Sequence, residues 1–353
     1  MIDIFNEFYQ GKRVLVTGHT GFKGSWLSIW LHELGAKVTG ISLDPYSERD
    51  NFVLSGIGDK ITADIRADIR DGKRMKEIFT EYQPEIVFHL AAQPLVRLSY
   101  DIPVETYEVN VMGAIRATPS VKVGVMITTD KCYDNHEQEE GYVETDPFGG
   151  YDPYSSSKGA CEVAIQSWRR SFFNPQDYGS THTVSLASVR AGNVIGGGDW
   201  ALDRIIPDCI RALEDARAIE IRSPKAVRPW EHVLEPLFGY MLLAKKMWDN
   251  PTEYCEGWNF GPEAENASTV WEMATALTKS YGSGELKDAS DPKALHEANL
   301  LMLNIIKAKS RLGWKPRMNM EQCMELVTDW YKRYRTEDVY NICIEEIEKF
   351  LTY

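Results

Sequence analysis

A short apolar run, Arg13-Val14-Leu15-Val16-Thr17, passes directly into Gly18-His19-Thr20-Gly21-Phe22-Lys23-Gly24. Glycine recurs there at every third position. Trp26, Leu27, Trp30, Leu31 and Leu34 then follow at helical spacing until Gly35 supplies a stop. Strand, glycine turn and helix start, in that order, leave few folds open. Such a turn brings the backbone close to a pyrophosphate, and the first N–H groups of the helix hold its charge. The predicted fold class is α/β: a doubly wound parallel Rossmann-type sheet followed by a smaller mixed α/β lobe for substrate. Gly18, Thr20, Gly21, Phe22, Lys23 and Gly24 are the predicted cofactor contacts of the turn. His19 reads as part of the turn rather than as a ligand.

Lys37–Leu43 reads as the second strand and ends at Asp44. A carboxylate there suits a ribose 2′-hydroxyl and repels a 2′-phosphate, which favours NAD over NADP, with nearby Arg49 as the opposing feature. Ala63-Asp64-Ile65-Arg66 and Ala67-Asp68-Ile69-Arg70 form a tandem, the second copy preceding a helix over Lys73–Tyr82, which places Asp68 and Ile69 beside the adenine. Ile86–Ala92 is a buried strand in which His89 is a core residue, while the small end Leu90-Ala91-Ala92 lets a cofactor pass and Gln93 follows on the ligand side. Residues 1–190 are expected to form the NAD-binding domain, with about 228–262 returning to it, and 191–353 the substrate lobe. The crossover from Asn110 to Ser120 is short and contains Pro119, so either its helix is truncated or residues are missing.

After the β-forming run Val123–Thr128 come Thr129-Asp130-Lys131 and then Tyr154-Ser155-Ser156-Ser157-Lys158. On a helix, Tyr154 and Lys158 lie one turn apart on one face. An ammonium beside a phenol lowers the phenol's pKa and makes it usable as a base. A Tyr-x-x-x-Lys spacing alone equally describes exposed helix residues, and Asp130-Lys131 alone a surface pair. Their company with the glycine turn makes them candidate catalytic residues.

The helix after Tyr154 is expected to run to about Phe172 with Cys161, Ala164, Ile165 and Trp168 on one face, a surface for a subunit partner or for the core. Thr183–Val189 reads as a strand, Arg204–Asp215 as a helix, Ala218–Ile221 as a strand and Arg228–His232 as a turn. Val233–Trp248, Ser268–Tyr281 and Asn319–Arg335 read as further helices. With 353 residues, 43% hydrophobic and 26% charged, the chain suits a soluble globular protein. Its net charge of −13 argues against nucleic acid and anionic membranes, so an anionic substrate needs local arginines. Six scattered cysteines without C-x-x-C fit reduced thiols in a cytoplasm better than disulfides or zinc. The acidic start Met1–Glu7 is no signal peptide, and no apolar stretch is long enough for a bilayer.

Taken together, the chain resembles an extended short-chain dehydrogenase/reductase, and within that superfamily the nucleotide-sugar 4,6-dehydratases. The stretches that carry the resemblance are TGHTGFKGSW (17–26), FHLAAQPLVRLSY (88–100), TTDKCYDN (128–135), GGYDPYSSSKG (149–159), SVRAGNVIGGGDWALDRIIPD (188–208), RPWEHVLEPL (228–237) and EGWNFGP (256–262). Thymidine-linked relatives carry Asp-Glu where this chain has Asp130-Lys131, and that swap marks the branch acting on CDP-glucose. The resemblance implies loss of water from the sugar with NAD used catalytically. It gives Tyr154 as base at carbon 4, Lys158 as its support and a ribose contact, and Thr129 as a hydrogen-bond partner of the same oxygen. Lys131 is implied as base at carbon 5, which requires a neutral amine that burial and a nearby cation would favour, and Asp130, when protonated, as acid at carbon 6. For the diphosphate the charge argument selects Arg204 and Arg228, with Asn193 beside the pyrophosphate, Gln93 at the hexose and His296 at ribose or phosphate. A homodimer or homotetramer is implied through the crossover and the helix after Tyr154. A 4-epimerase, which needs no Asp130-Lys131 couple, a 4,6-dehydratase acting on another nucleotide-hexose, and a non-catalytic NAD-binding regulator are the competing readings.

Overall fold

The computed structural model describes residues 4–114, 121–290 and 300–353. Its first half alternates strand and helix: β1 (Arg13–Thr17), α1 (Phe22–Glu33), β2 (Lys37–Ser42), α2 (Asn51–Ser55), β3 (Ala63–Arg66), α3 (Gly72–Tyr82) and β4 (Ile86–His89). Short helices α4 (Val96–Asp101) and α5 (Pro103–Tyr107) and a π-helical turn, Glu108–Gly113, lead towards β5 (Val123–Ile127). Then follow α6 (Pro153–Ser171), β6 (Ser185–Ala191), β7 (Asn193–Ile195), α7 (Ile205–Glu214), β8 (Ile219–Ile221), β9 (Val227–Arg228) and β10 (Trp230–His232). The chain closes with α8 (Leu234–Asp249), β11 (Gly257–Phe260), β12 (Ser268–Thr269), α9 (Val270–Tyr281), β13 (Leu286–Asp288), α10 (Met320–Arg333) and α11 (Val339–Thr352).

Seven parallel strands form the central sheet in the order β3-β2-β1-β4-β5-β6-β11. The order reverses between β1 and β4, and the crevice outside the carboxyl ends of those two strands is where such a sheet takes a ligand. Helices cover both faces, so β5 and β6 are buried along their whole length. In β5 that gives an unbroken apolar run; in β6 it traps Ser185, Ser188 and Arg190, whose partners are described below. The small lobe is built from pairs, β10 with β7, β12 with β9 and β13 with β8.

Several local expectations change. Arg228–His232, expected as a turn, is instead extended: β10 pairs in parallel with β7, setting Trp230 opposite Asn193. The sixth strand begins at Ser185 rather than Thr183, and Ser268 and Thr269 form a strand that caps α9 with a Thr269–Glu272 capping box. α11 had no counterpart in the sequence reading; it packs on α1 and α2, with Phe350 edge-on to Trp30 at a centroid distance of 5.8 Å. Of the short crossover, residues 115–120 lie outside the described residues. All six cysteines are free and buried, and no helix among the described residues is long and apolar enough to cross a membrane.

Candidate active site

The crevice begins at the glycine turn. Gly18 has φ of 75°, and a Cβ there would stand 2.8 Å from the Ala91 nitrogen; one on Gly24 would stand 2.1 Å from the Gly18 carbonyl oxygen. Only hydrogen at both positions lets turn, helix and the end of β4 close together. α1 starts at Phe22 with no side-chain cap, which leaves its first N–H groups for an anion. These features fit the pyrophosphate of a dinucleotide.

Around the turn, the Thr20 hydroxyl bonds the Ser42 hydroxyl at 2.7 Å and the Leu43 carbonyl at 3.1 Å. Asp44 lies exposed at the end of β2, where Arg66 Nε donates to it at 3.1 Å. Arg49, the cation the sequence set beside Asp44, is engaged elsewhere: it pairs with Glu214 at 2.6 Å and lies 3.5 Å over the Trp200 ring. Asp68 is tied to Arg70 at 2.6 Å, and Ile69 is buried against Gly113. The Ala91 N–H donates to the Thr17 hydroxyl at 3.2 Å, with Leu90 and Ala92 half-buried on either side. His89 is a core residue whose Nδ1 meets the same hydroxyl at 2.8 Å; burial pushes it down to about 3. His19 is buried too, its Nε2 2.7 Å from Asp64 and its ring filling the space that Gly40 leaves.

The start of α6 is set from several sides. Asp152 caps it, accepting from the Ser155 N–H at 2.9 Å, with Pro153 in the first turn. The Tyr154 N–H donates to Ser99 at 3.1 Å, and Asn110 donates to Ser157 at 2.9 Å. A Cβ on Gly159 would lie 2.5 Å from the Gly149 carbonyl, so this glycine allows the Gly149 loop to press on the helix. Facing it is the 3₁₀ turn Asp130–Cys132, whose cap Thr129 donates to Asp130 Oδ1 at 2.8 Å.

Thr129, Asp130, Tyr154 and Lys158 are all buried here, and Lys131 is half-buried at the rim. The sequence reading has Lys158 lowering the Tyr154 phenol; in the protein, burial dominates and pushes the phenol up to about 12. The largest opposing influences are the Thr129 hydrogen bond and the Arg204 charge, with Asp130 pushing upward. Burial also raises the Asp130 carboxyl, against the charges of Lys131 and Arg228 and the Thr129 bond. It lowers Lys158 as well, against Cys161 and Glu162. Half-buried Lys23 is brought down to about 8 by burial, helped by Lys158 and Arg204 and opposed by Glu231.

On the substrate side Arg204 pairs with Asp199 at 2.7 Å, and the Arg228 guanidinium donates to the Val227 carbonyl at 3.0 Å while its charge reaches Asp130. Gln93, expected at the hexose, instead folds its amide into its own loop, donating to Leu95 O at 3.1 Å and Thr106 at 3.0 Å. His296 lies outside the described residues. Glu231 was not anticipated: an acid in an assumed turn reads as solvated, yet on β10 it is buried beside the site. Its Oε1 accepts from the Gly192 N–H at 3.2 Å, and burial, together with Glu235, keeps its carboxyl well above the ordinary range. Asp130 Oδ2, Asn193 Oδ1 and Glu231 Oε2 are buried polar atoms with no partner among the described residues, as expected of a polar site made for a ligand.

Fold and site together define a dinucleotide-binding enzyme of the short-chain dehydrogenase/reductase class. A family model described as GDP-mannose 4,6 dehydratase matches residues 15–327. The CDP-glucose 4,6-dehydratase of Salmonella typhimurium is 47% identical over 100% of this chain and 99% of its own. A human dTDP-D-glucose 4,6-dehydratase is 27% identical over 91% of this chain and 90% of its own. Among solved structures, an epimerase from Methanothermobacter thermautotrophicus superposes with a TM-score of 0.78 at 23% identity, covering 98% of this chain and 97% of its own. A dTDP-glucose 4,6-dehydratase from Bacillus anthracis in complex with NAD gives 0.73 at 19% identity, covering 91% and 96%. The chain belongs to the nucleotide-sugar 4,6-dehydratase family.

The raised Asp130 carboxyl has a consequence for stability. Its contribution is fully present below the unfolded carboxyl's pKa near about 4 and is lost as pH rises through the higher folded value. Asp130→Asn keeps the acceptor for Thr129 and cannot ionise. Its thermal midpoint is expected to exceed that of the wild type at pH 8, by calorimetry, with the difference vanishing towards about pH 4.

Proposed function

We propose that the chain is an NAD-dependent CDP-glucose 4,6-dehydratase, converting CDP-glucose to CDP-4-keto-6-deoxyglucose and water. The observation that carries this reading is the acid–amine couple: buried Asp130 with an unpartnered oxygen and half-buried Lys131, on one turn next to Thr129 and Tyr154. The 47% identity to the Salmonella typhimurium CDP-glucose 4,6-dehydratase supports the choice of nucleotide. An epimerase needs the phenol and lysine but gives the couple no work.

NAD, when bound, supplies both the hydride acceptor for carbon 4 and the donor for carbon 6, so the net reaction is redox-neutral. Tyr154, hydrogen-bonded by Thr129 and under the charge of Arg204, with Lys158 one turn along the same helix, takes the proton of the hydroxyl at carbon 4. Once carbon 4 is a ketone, the hydrogen at carbon 5 is acidic, and the Lys131 amine removes it as a proton. Asp130, whose carboxyl burial raises, is the acid that donates to the hydroxyl leaving carbon 6. Arg204 and Arg228 take the diphosphate, with the Asn193 amide on the same side. Gly18–Gly24, Asp44, Asp68 and Ile69, and Leu90–Ala92 line the path of NAD. On this reading residues 1–190 with 228–262 hold NAD and 191–353 the nucleotide sugar; the seat of β11 in the main sheet favours that return.

Val104, Met112 and Val163 are exposed apolar residues on α5, the π-helical turn and α6, which pack on one another. Their common surface favours a homodimer or a dimer of dimers, and six unpaired thiols favour a cytoplasmic setting.

Incubation with CDP-, dTDP-, UDP- and GDP-hexoses in the presence of NAD should give the alkali-induced absorbance of a 4-keto-6-deoxy sugar with CDP-glucose. A 4-epimer in its place would favour the epimerase, and no turnover of any donor would favour the regulator. Arg228→Ala should raise KM far more than it lowers kcat; an unchanged KM removes Arg228 from the substrate site. Light scattering at micromolar concentration should read at least twice the mass of one chain, and a monomer would exclude the proposed assembly.

A further inference from the structure

Glu162 lies on α6 one helical turn beyond Lys158 and two beyond Tyr154, so the three side chains share a face. Its side chain is without solvent exposure, and its carboxylate accepts four hydrogen bonds. Nε and Nη2 of Arg190 donate at 2.9 Å each, the Thr128 hydroxyl at 2.5 Å and the Ser188 hydroxyl at 2.8 Å. Thr128 is the residue before Thr129-Asp130-Lys131; Ser188 and Arg190 belong to β6. One carboxylate therefore joins the helix of the phenol and lysine to the turn of the acid and amine.

We propose that Glu162 is a positioning residue for the reaction: it supports the charge of Lys158 and holds α6 at its working distance from the Thr129–Lys131 turn. The inference rests on the function proposed above. Lys158 is buried, which works against its ammonium, and Cys161 and Glu162 on its own helix and Cys132 on the facing turn work for it. From the other elements packed around it come Lys23 on α1, of like charge, and His89 on β4, which burial keeps neutral. Arg190 on β6 faces Glu162. Burial alone would raise the Glu162 carboxyl, but the charge and hydrogen bonds of Arg190 hold it below the ordinary range and hence ionised. A fixed negative charge thus stands one turn from the lysine whatever the solvent pH in the working range.

A purely structural pair would need the same geometry, so the test must separate charge from glue. Glu162→Gln keeps the shape but leaves Arg190 buried without a counter-charge, a change that can unfold the protein. Glu162→Gln combined with Arg190→Met removes both charges and carries the test if the single variant does not fold. Protein labelled with ¹³C at lysine Cε, the Lys158 signal assigned through Lys158→Arg, is titrated without substrate from about pH 6 to 11. The Lys158 midpoint should fall by about one pH unit in the double variant and further in Glu162→Gln, and the alkaline limb of kcat against pH should move with it. Coincident midpoints in all the folded proteins, or recovery of the wild-type pH profile by the double variant, would overturn the proposal and leave Glu162 a structural residue. Because the titration needs no turnover, a wild-type protein that forms no keto sugar would defeat the functional reading while the midpoints still decide this one.

Discussion

A guanidinium and a carboxylate with almost no access to water meet where α6, β5 and β6 converge. Taking two such charges out of water costs several kcal/mol each, and their attraction recovers it only where geometry is good and every remaining donor and acceptor is met. Here that condition holds. Glu162 accepts from Arg190, Thr128 and Ser188, and Arg190 donates onward to the Tyr133 hydroxyl at 2.5 Å and the Glu144 carbonyl at 3.2 Å. Tyr133 in turn donates to Asn259 of β11 at 2.8 Å, and Asn259 donates to the Tyr142 carbonyl at 2.8 Å. A one-residue slip of β6 would turn Arg190 to the other face and leave Glu162 without its cation, so the network enforces a register that apolar packing alone would tolerate less strictly. It explains why a strand buried along its whole length carries two serines and an arginine.

The crevice above that network follows the opposite rule. Asp130, Lys158, Lys23 and Glu231 are brought together with incomplete partners, and burial pushes each towards its neutral form. Such groups oppose folding, and a site that must bind and transfer protons keeps them in spite of that. The satisfied pair below and the unsatisfied groups above are a few residues apart in sequence. Thr128 bonds Glu162; Thr129 bonds Asp130. The rigid half of this segment allows the strained half.

How much of this could be read from the chain depends on the range of the interaction. The glycine turn is legible because its three glycines lie within seven residues and Gly24 answers to the Gly18 backbone beside it, although Gly18 itself answers to Ala91 at the distant end of β4. The central helices are legible by periodicity. The extended form of Trp230–His232 is not: its pairing with Asn193–Ile195 is non-local, and Pro229 beside it signals a turn. α11 has a helical pattern of its own, but nothing local says that it returns to α1 and α2. The most instructive difference is Tyr154. Sequence spacing supplies the lysine one turn away, whereas the burial that raises the phenol depends on where α6 is seated, which Ser99 and Asn110 help to fix from far along the chain. Gln93 shows the reverse error, since its position at a strand end suggests a ligand contact while its own loop uses up its amide.

The placing of Asp130 and Lys131 follows from the turn that carries them. In a 3₁₀ turn successive side chains diverge by roughly a third of a revolution, so adjacent residues cannot share one environment. Asp130 points into the protein and is about 1% exposed, while Lys131 points to the rim and is half-buried. An α-helical or extended backbone could also separate them, but the cap from Thr129 fixes this turn through the same hydroxyl that donates to Asp130. On the proposed chemistry an acid must stay protonated at one sugar carbon while an amine works at the next. Depth of burial, set by one tight turn, raises the carboxyl without any second acid to hold the proton. The same turn leaves the amine half-buried, further out than the carboxyl.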